Sequence, residues 1–208
     1  MAQMSPLERW MVNSPFRAWL QRGEISSFMR WASLDSASSV LDMGCGRGIS
    51  TSLILKRVTP LYLAAFDFDS DMVDSARRRL ARRGADGGVD LRVADATKMP
   101  YESGRFDAAF ESGVVHHVPD WQAALREVAR VLKPGGRFCF AEPSRGRLRG
   151  GLYRILPHAV ESMFDEDEWC TALHDAGLAF DGPISRMPLW DICGVAVRTR
   201  GEAAQHAG

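Results

Sequence analysis

The strongest constraint on this chain is a regular alternation of apolar runs and helix-like segments between Val40 and Glu142. The apolar runs are short and rich in β-branched and aromatic side chains, as buried strands are. Consecutive parallel strands need a long crossover connection, and the helix-like segments are suited to provide it. The pattern therefore predicts an α/β fold with a doubly wound, mostly parallel sheet and helices on both faces.

Turn and capping signals set the expected bounds of these elements. Ser70 is placed as the N-cap of one helix, "KPGG" (133–136) closes another, and Asp165 with Glu168 has capping-box spacing. The Gly- and Arg-rich stretch 144–151 is expected to be a loop. The predicted strands are 39–43, 61–67, 89–95, 105–112, 137–142, 179–185 and 189–198, and the predicted helices are 49–57, 70–83, 120–132 and 165–178.

Composition excludes several classes of function. The 208 residues suit one globular domain, and 26 basic against 26 acidic residues give a formal net charge of zero. A protein that grips a phosphate backbone normally has a basic excess, so nucleic acid is not expected as a partner. The four cysteines form no CxxC pair, and neither a disulfide framework nor a metal site is expected. Without a signal peptide or a run of ~20 apolar residues, we expect a soluble, cytoplasmic protein.

The first 36 residues differ from the rest of the chain. Apolar and aromatic residues recur there at helical spacing, and Pro6 and Pro15 suit the first turns of two successive helices. We expect a helical lid segment over 1–36 and the main domain over 37–208. Two interpretations stay open: the aromatic face packs over a cofactor site, or it touches a membrane surface and admits a lipid-soluble acceptor.

A glycine-rich turn follows the first predicted strand in "VLDMGCGRGIS" (40–50). Gly44, Gly46 and Gly48 permit a tight turn and a close approach of backbone to a ligand. Ligands of open parallel sheets bind at this edge, near the point where strand order reverses. The spacing is G-x-G-x-G rather than G-x-G-x-x-G, and Asp42 would repel a pyrophosphate while suiting the ammonium of an amino acid. A nicotinamide-dependent oxidoreductase is therefore the less favoured alternative.

Two further acids end the next predicted strands. Asp67 follows the turn by about twenty residues, where an acid can accept hydrogen bonds from both hydroxyls of a ribose. Asp95 ends the third strand, where it can accept a proton from an adenine amine. For each acid alone the alternative is a helix cap or a turn former. Three acids at three successive strand ends favour an adenosine-containing ligand.

These segments resemble the class I S-adenosylmethionine-dependent methyltransferases, most closely the small-molecule and quinone branch. The resemblance runs from about residue 38 to 198, and the matching segments are "VLDMGCGRG", "AAFDFDSDMVDSAR", "VADATKMPYESGRFDAAF" and "LREVARVLKPGGRFCFAEP". It implies a Rossmann-like, seven-stranded sheet with an antiparallel last strand, S-adenosyl-L-methionine as cofactor and S-adenosyl-L-homocysteine as product. The cofactor-binding residues that it implies are Asp42, Gly44, Cys45, Gly46, Gly48, Asp67, Phe68, Asp95, Ala96, Met99 and Glu111, with Phe68 and Met99 flanking the adenine ring.

Candidates for catalysis lie after the fourth strand, in "ESGVVHHVPDW" (111–121). Glu111, His116 and His117 would face the transferable methyl group, and either histidine could serve as a general base. The alternative is a histidine that packs or anchors the loop. The expected function is in-line transfer of a methyl group to a small-molecule acceptor. Alternatives are transfer to a membrane-associated lipid or quinone, and a non-catalytic cofactor-binding partner protein.

Substrate contacts are expected from the variable segments. The acceptor and the oligomeric state are not identified by the sequence, and the alternative for the Arg-rich stretch is a solvated loop. The candidate substrate-binding residues are Trp10, Trp19, His117, Arg145 and Tyr153.

Overall fold

The computed structural model describes residues 14–84, 88–148, 163–182 and 184–200. Trp10, Tyr153 and the helix expected around Pro6 lie outside these ranges. The described chain contains six α-helices, α1 Pro15–Ala32, α2 Ile49–Val58, α3 Ser70–Ala81, α4 Trp121–Val131, α5 Arg145–Leu148 and α6 Glu166–Asp175, and a 3-10 turn at Val115–His117. Its strands are β1 Ser39–Met43, β2 Tyr62–Asp67, β3 Asp90–Val93, β4 Phe106–Glu111, β5 Leu132–Glu142, β6 Leu178–Phe180 and β7 Ile192–Arg198.

The strands form one seven-stranded sheet in the order β3-β2-β1-β4-β5-β7-β6. The first five strands pair in parallel, and β7 runs antiparallel to both β5 and β6. This arrangement confirms the predicted fold class, including the antiparallel last strand. Strand order reverses between β1 and β4, so the crevice outside their carboxyl ends is where this type of sheet binds ligands.

Helices cover both faces of the sheet, and each face has its own apolar core. Phe138 and Phe140 of β5 face α4 and α6, whereas Cys139 between them faces α1. Helix α1 buries Ile25 and Phe28 in this second core. The N-terminal helix is thus part of the domain core.

Three local features differ from the sequence expectations. The N-cap of α3 is Asp69, whose carboxylate accepts a hydrogen bond from the Asp71 amide at 2.8 Å, because Ser70 is already helical. "KPGG" forms a bulge inside β5: Leu132 pairs with Phe106, and pairing resumes at Arg137 with Ala108. Part of the expected loop 144–151 is the short helix α5. The capping box at α6 is confirmed.

No helix in the described ranges is both long enough and apolar enough to cross a bilayer.

Candidate functional site

The three glycines after β1 all have positive φ, but their surroundings differ. A Cβ on Gly44 would lie 2.3 Å from Val114 Cγ2, and one on Gly48 would lie 2.9 Å from Ala76 Cβ. A Cβ on Gly46 would meet no atom within 4 Å. Gly44 and Gly48 therefore allow close packing inside the protein. Gly46 is the glycine whose missing side chain faces open space.

Asp67 connects this turn to the start of α3. Its Oδ2 accepts the Gly46 amide at 2.9 Å, and its Oδ1 accepts the Asp69 amide at 3.0 Å. Burial raises the pKa of Asp67 despite these hydrogen bonds. Each carboxylate oxygen retains acceptor capacity beyond one amide, so the side chain can still receive hydrogen bonds from a pair of hydroxyls. Phe68, the next residue, is 44% exposed.

Asp42, at the end of β1, is buried and bonds the first turn of α2, on the far side of the glycine turn. Its side chain is 3% exposed, and its Oδ2 accepts the hydroxyls of Ser50 at 2.7 Å and Thr51 at 2.5 Å. Burial raises the pKa of Asp42 to about 6, against the opposing effect of these hydroxyls. The observed partners of Asp42 are thus the first residues of α2, and its predicted contact with an ammonium stays a prediction.

Cys45 has its side chain inside the protein. The thiol is buried in a small cluster with Ala65 and Ala76, and burial raises its pKa. The Cys45 amide donates to the Phe66 carbonyl at 2.9 Å. Only the backbone of Cys45 therefore borders the open side of the turn.

The segment after β3 forms a compact polar turn. Asp95 Oδ1 accepts both the amide and the hydroxyl of Thr97 at 2.8 Å, which is the geometry of a turn former. Ala96 and Met99 are buried, and the Met99 amide donates to Glu127 Oε2 at 2.7 Å. Of the two residues expected to flank an adenine ring, Met99 is thus a core side chain and Phe68 is exposed.

A buried carboxyl pair lies at the ends of β4 and β5. Glu111 accepts the Ala141 amide at 3.0 Å, while Glu142 accepts the amides of Val114 and Val115 at 2.9 and 2.5 Å. Burial and the neighbouring charge of Glu142 raise the pKa of Glu111 well above its usual range. The pKa of Glu142 is lowered, because His116 and the hydrogen bond from Glu111 outweigh burial. These opposite directions favour the proton on Glu111 rather than on Glu142.

The two histidines of the predicted catalytic segment have different environments. His116 is buried, with Nδ1 2.5 Å from Glu142 Oε2, whereas His117 is half-buried. Their rings lie 3.9 Å apart. His116 thus has the loop-anchoring position that was the alternative to catalysis, and Glu111 is enclosed among internal partners rather than exposed to a ligand. His117 is the more accessible of the three candidates.

Glu142 was not among the predicted site residues. It ends a buried strand, in "RFCFAEP", just as Asp42 and Asp67 end theirs. The same strand-end rule therefore could have identified it.

A second buried polar network, also absent from the sequence predictions, holds α1 against the loop after β4. Arg17 binds Glu24 at 3.0 Å and Ser112 Oγ at 2.9 Å, and Ser112 donates to Glu24 at 2.5 Å. Trp190 Nε1 also donates to Glu24, at 2.8 Å. Trp19 lies on the opposite side of α1 and is 63% exposed, and its predicted contact with a substrate stays a prediction.

Arg145 makes internal contacts in the described structure. Its guanidinium binds the Met163 carbonyl, Glu168 at 2.6 Å and Asp165 at 3.4 Å. These groups compete with the predicted anionic substrate. A cavity of about 610 Å³ adjoins it between the N-terminal end of α4 and the side of α6, lined by Pro119, Trp121, Gln122, Arg145, Met163, Asp167, Glu168, Thr171, Ala172 and Asp175.

Within the described residues, no group of three His, Cys, Asp or Glu side chains is arranged to hold a metal ion.

The family described as "Methyltransferase domain" matches residues 41–140, from the glycine turn to β5. The match covers the same strand-end acids and the same crevice that the structure assembles. The chain therefore carries a methyltransferase domain of the class I, S-adenosylmethionine-dependent type. The cofactor of such domains is S-adenosylmethionine, and the space beside Gly46, next to Asp67, is open to a ligand.

Individual relatives agree with this assignment. The chain is 28% identical over 151 residues to 27-O-demethylrifamycin SV methyltransferase from Amycolatopsis mediterranei, covering 70% of the chain and 55% of the relative. It is 29% identical to demethylmenaquinone methyltransferase from Corynebacterium glutamicum, covering 84% and 76%. The crystal structure of a SAM-dependent methyltransferase from Aquifex aeolicus has the same fold, with a TM-score of 0.76, 21% identity and coverage of 95% and 100%. The chain spans about half the length of several curated relatives.

Proposed function

We propose that this chain transfers a methyl group from S-adenosylmethionine to a small-molecule acceptor that binds beside His117. The observation that carries the proposal is the cluster at the carboxyl ends of β1, β2 and β4. There, an open glycine turn and the Asp67 carboxylate lie beside the segment that carries the half-buried His117, because Gly44 packs against Val114 of that segment. Both the methyltransferase activity and the acceptor are proposals for the part of the chain that the structure describes.

The proposed cofactor contacts follow from the turn. The Gly46 side of the turn admits the methionine part, Asp67 accepts the ribose hydroxyls, and Asp95 lies at the adenine end. When bound, the cofactor supplies an electrophilic methyl carbon on a positively charged sulfur, which an acceptor atom attacks in line as the carbon–sulfur bond breaks. The chain's main contribution is then to align the acceptor and to exclude water.

His117 is proposed to take the proton that an acceptor hydroxyl loses during the attack. Glu142 does not contact the acceptor in this proposal. It accepts hydrogen bonds from the amides of Val114 and Val115 and bonds His116, and these contacts hold the turn that carries His117. Glu142 and His116 are therefore positioning residues. Glu111 keeps Glu142 in place as its neutral partner.

The acceptor is proposed to be a hydroxyl-bearing or quinol-type molecule. This class includes the chemistry named in the two relatives above, a demethylrifamycin and a demethylmenaquinone. The lining of the cavity beside Trp121 includes Pro119, two residues after His117, but neither His117 nor the glycine turn. The proposed class of acceptor therefore follows from His117 and the relatives, and not from this cavity.

The test measures formation of S-adenosylhomocysteine by mass spectrometry when the protein is incubated with S-adenosylmethionine and a reduced naphthoquinone or a phenol. We expect product with at least one acceptor and a loss of about 10²-fold or more in His117→Ala, with S-adenosylhomocysteine affinity unchanged. His174→Ala, at an exposed position on α6, is the matched control. A protein that binds S-adenosylhomocysteine but turns over neither acceptor contradicts the proposal and favours a non-catalytic binding protein.

A further inference from the structure

The formal net charge of zero conceals an uneven distribution of charge among the helices on the two faces of the sheet. Helices α1, α2 and α3 share one face, where Phe28, Ile54 and Ala76 anchor them to the strands. The opposite face carries α6, which begins with three consecutive acidic residues. We call the α1–α3 side the basic layer; its exposed or half-buried cations are Arg22, Arg30, Arg47, Lys56, Arg57, Arg77, Arg78, Arg79, Arg82 and Arg83.

The acidic groups of this layer are fewer than its cations. Helix α2 contains none, and α3 contains Asp71 and Asp74, of which Asp74 pairs with Arg77 at 2.6 Å. The single acid of α1, Glu24, is buried with Arg17. The basic layer therefore carries a net positive charge that solvent or a partner must neutralise.

Contacts join the cations across the three helices. Arg57 of α2 donates to Ser26 of α1, and Ser26 donates to the Arg22 carbonyl at 2.5 Å. Arg79 of α3 donates to the Arg47 carbonyl at 2.8 Å. Burial, and then repulsion from Arg83, Arg47, Arg82 and Arg22, lowers the pKa of Arg79. The positive charges therefore form one continuous surface.

Two aromatic side chains extend this surface. Phe16 and Trp19 are 65% and 63% exposed and stack on each other with ring centroids 6.2 Å apart. They precede Arg22 and Arg30 along the solvent side of α1, because positions three or four residues apart share a helix face. Exposed aromatic rings favour the polar–apolar boundary of a membrane, and neighbouring arginines attract anionic headgroups.

We propose that the basic layer docks on an anionic membrane surface, with Phe16 and Trp19 entering the interface. Arginines on three neighbouring helices then contact lipid phosphates. A single-stranded nucleic acid is a poorer fit, because it needs aromatic platforms along a groove, whereas the described aromatics of this layer's outer side are paired at one end of α1. The same end of α1 lies beside Ser112, close to the candidate site, so docking brings that site near the bilayer.

The test is co-sedimentation of the full chain with vesicles of phosphatidylcholine alone or with one third phosphatidylglycerol. We expect binding to the anionic vesicles, release at high salt and little binding to neutral ones. Arg78→Glu/Arg82→Glu should weaken binding at least about thirtyfold, since each cation near an anionic surface contributes about fivefold. Phe16→Ser/Trp19→Ser should weaken it as well, and circular dichroism with S-adenosylhomocysteine titration verifies that the variants are folded.

The matched control is Arg126→Glu on α4, an exposed arginine outside the basic layer. Equal binding by wild type, Arg126→Glu and Arg78→Glu/Arg82→Glu would overturn the proposal, as would equal binding to neutral vesicles. Binding of a short single-stranded DNA in preference to vesicles would reassign the surface to nucleic acid. Self-association in sedimentation velocity without vesicle binding would reassign it to a second copy of the chain.

Discussion

Of two alanine variants in the glycine turn, Gly46→Ala should lose more cofactor affinity and Gly48→Ala should lose more stability. Both residues have positive φ, +51° and +74°, and alanine in this region costs roughly 1–2 kcal/mol. At Gly48 the added Cβ also lies 2.9 Å from Ala76 Cβ and 3.0 Å from Ala76 Cα. Since the second atom is backbone of a packed helix, overpacking adds about 1–3 kcal/mol.

We therefore expect the free energy of unfolding to fall by about 1–2 kcal/mol in Gly46→Ala and by about 2–5 kcal/mol in Gly48→Ala. Urea unfolding measures this difference. Calorimetric titration with S-adenosylhomocysteine should show the reverse order, with an affinity loss of at least about tenfold in Gly46→Ala and a smaller one in folded Gly48→Ala. Wild-type affinity in Gly46→Ala would refute the assignment of the open space beside Gly46 to the cofactor.

Three further predictions concern buried charge. The pKa of Asp42 is about 6 in the folded chain and lower in the unfolded chain, so folding is coupled to proton binding. The free energy of unfolding of the wild type, relative to Asp42→Asn, should therefore fall by up to about 3 kcal/mol from pH 4 to 7. Equal pH profiles of the two proteins in urea unfolding would exclude this. Glu142→Gln should lower the free energy of unfolding by about 3 kcal/mol, because it removes a buried anion from its partners. Glu111→Gln should lower it by less than about 1 kcal/mol, because glutamine replaces a protonated carboxyl at little cost. Equal losses in thermal unfolding would contradict the assignment of the proton to Glu111. Arg17→Met should lower the free energy of unfolding by about 2–4 kcal/mol, because it leaves Glu24 buried without its cation. The double variant Arg17→Met/Glu24→Gln should recover part of this loss of stability. If the losses of the two single variants simply add in the double variant, the two side chains are not coupled.

Strand-end patterns made much of the fold and of the cofactor crevice predictable. β1 and its glycine turn were bounded correctly because the strand is a continuous buried run and glycine marks its end. "KPGG" was placed at a helix end, since a local turn signal does not show that strand pairing resumes after it at Arg137. Ser70 is predicted as the N-cap, whereas the structure has Asp69 there, because both residue types are good caps and only backbone geometry separates adjacent positions.

Hydrogen-bond partners that lie far apart in the sequence could not be predicted from local sequence patterns. Glu24 meets Trp190 across 166 residues, and Glu142 meets His116 across 26. Only tertiary packing determines which buried carboxylate finds which donor. The uneven distribution of charge among the helices on the two faces was hidden for a related reason: net composition sums over surfaces that the fold places on opposite sides of the sheet.

The measurement that tests the central assignment most directly is a calorimetric titration of the wild-type protein with S-adenosylhomocysteine, compared with NAD under the same conditions. Carboxylates at the ends of β1 and β2 should admit an amino acid and a ribose but repel a pyrophosphate. We predict saturable one-to-one binding of S-adenosylhomocysteine, weakened in Asp67→Asn, and no binding of NAD. Saturable binding of NAD, or S-adenosylhomocysteine affinity that is unaltered in Asp67→Asn, would contradict the account.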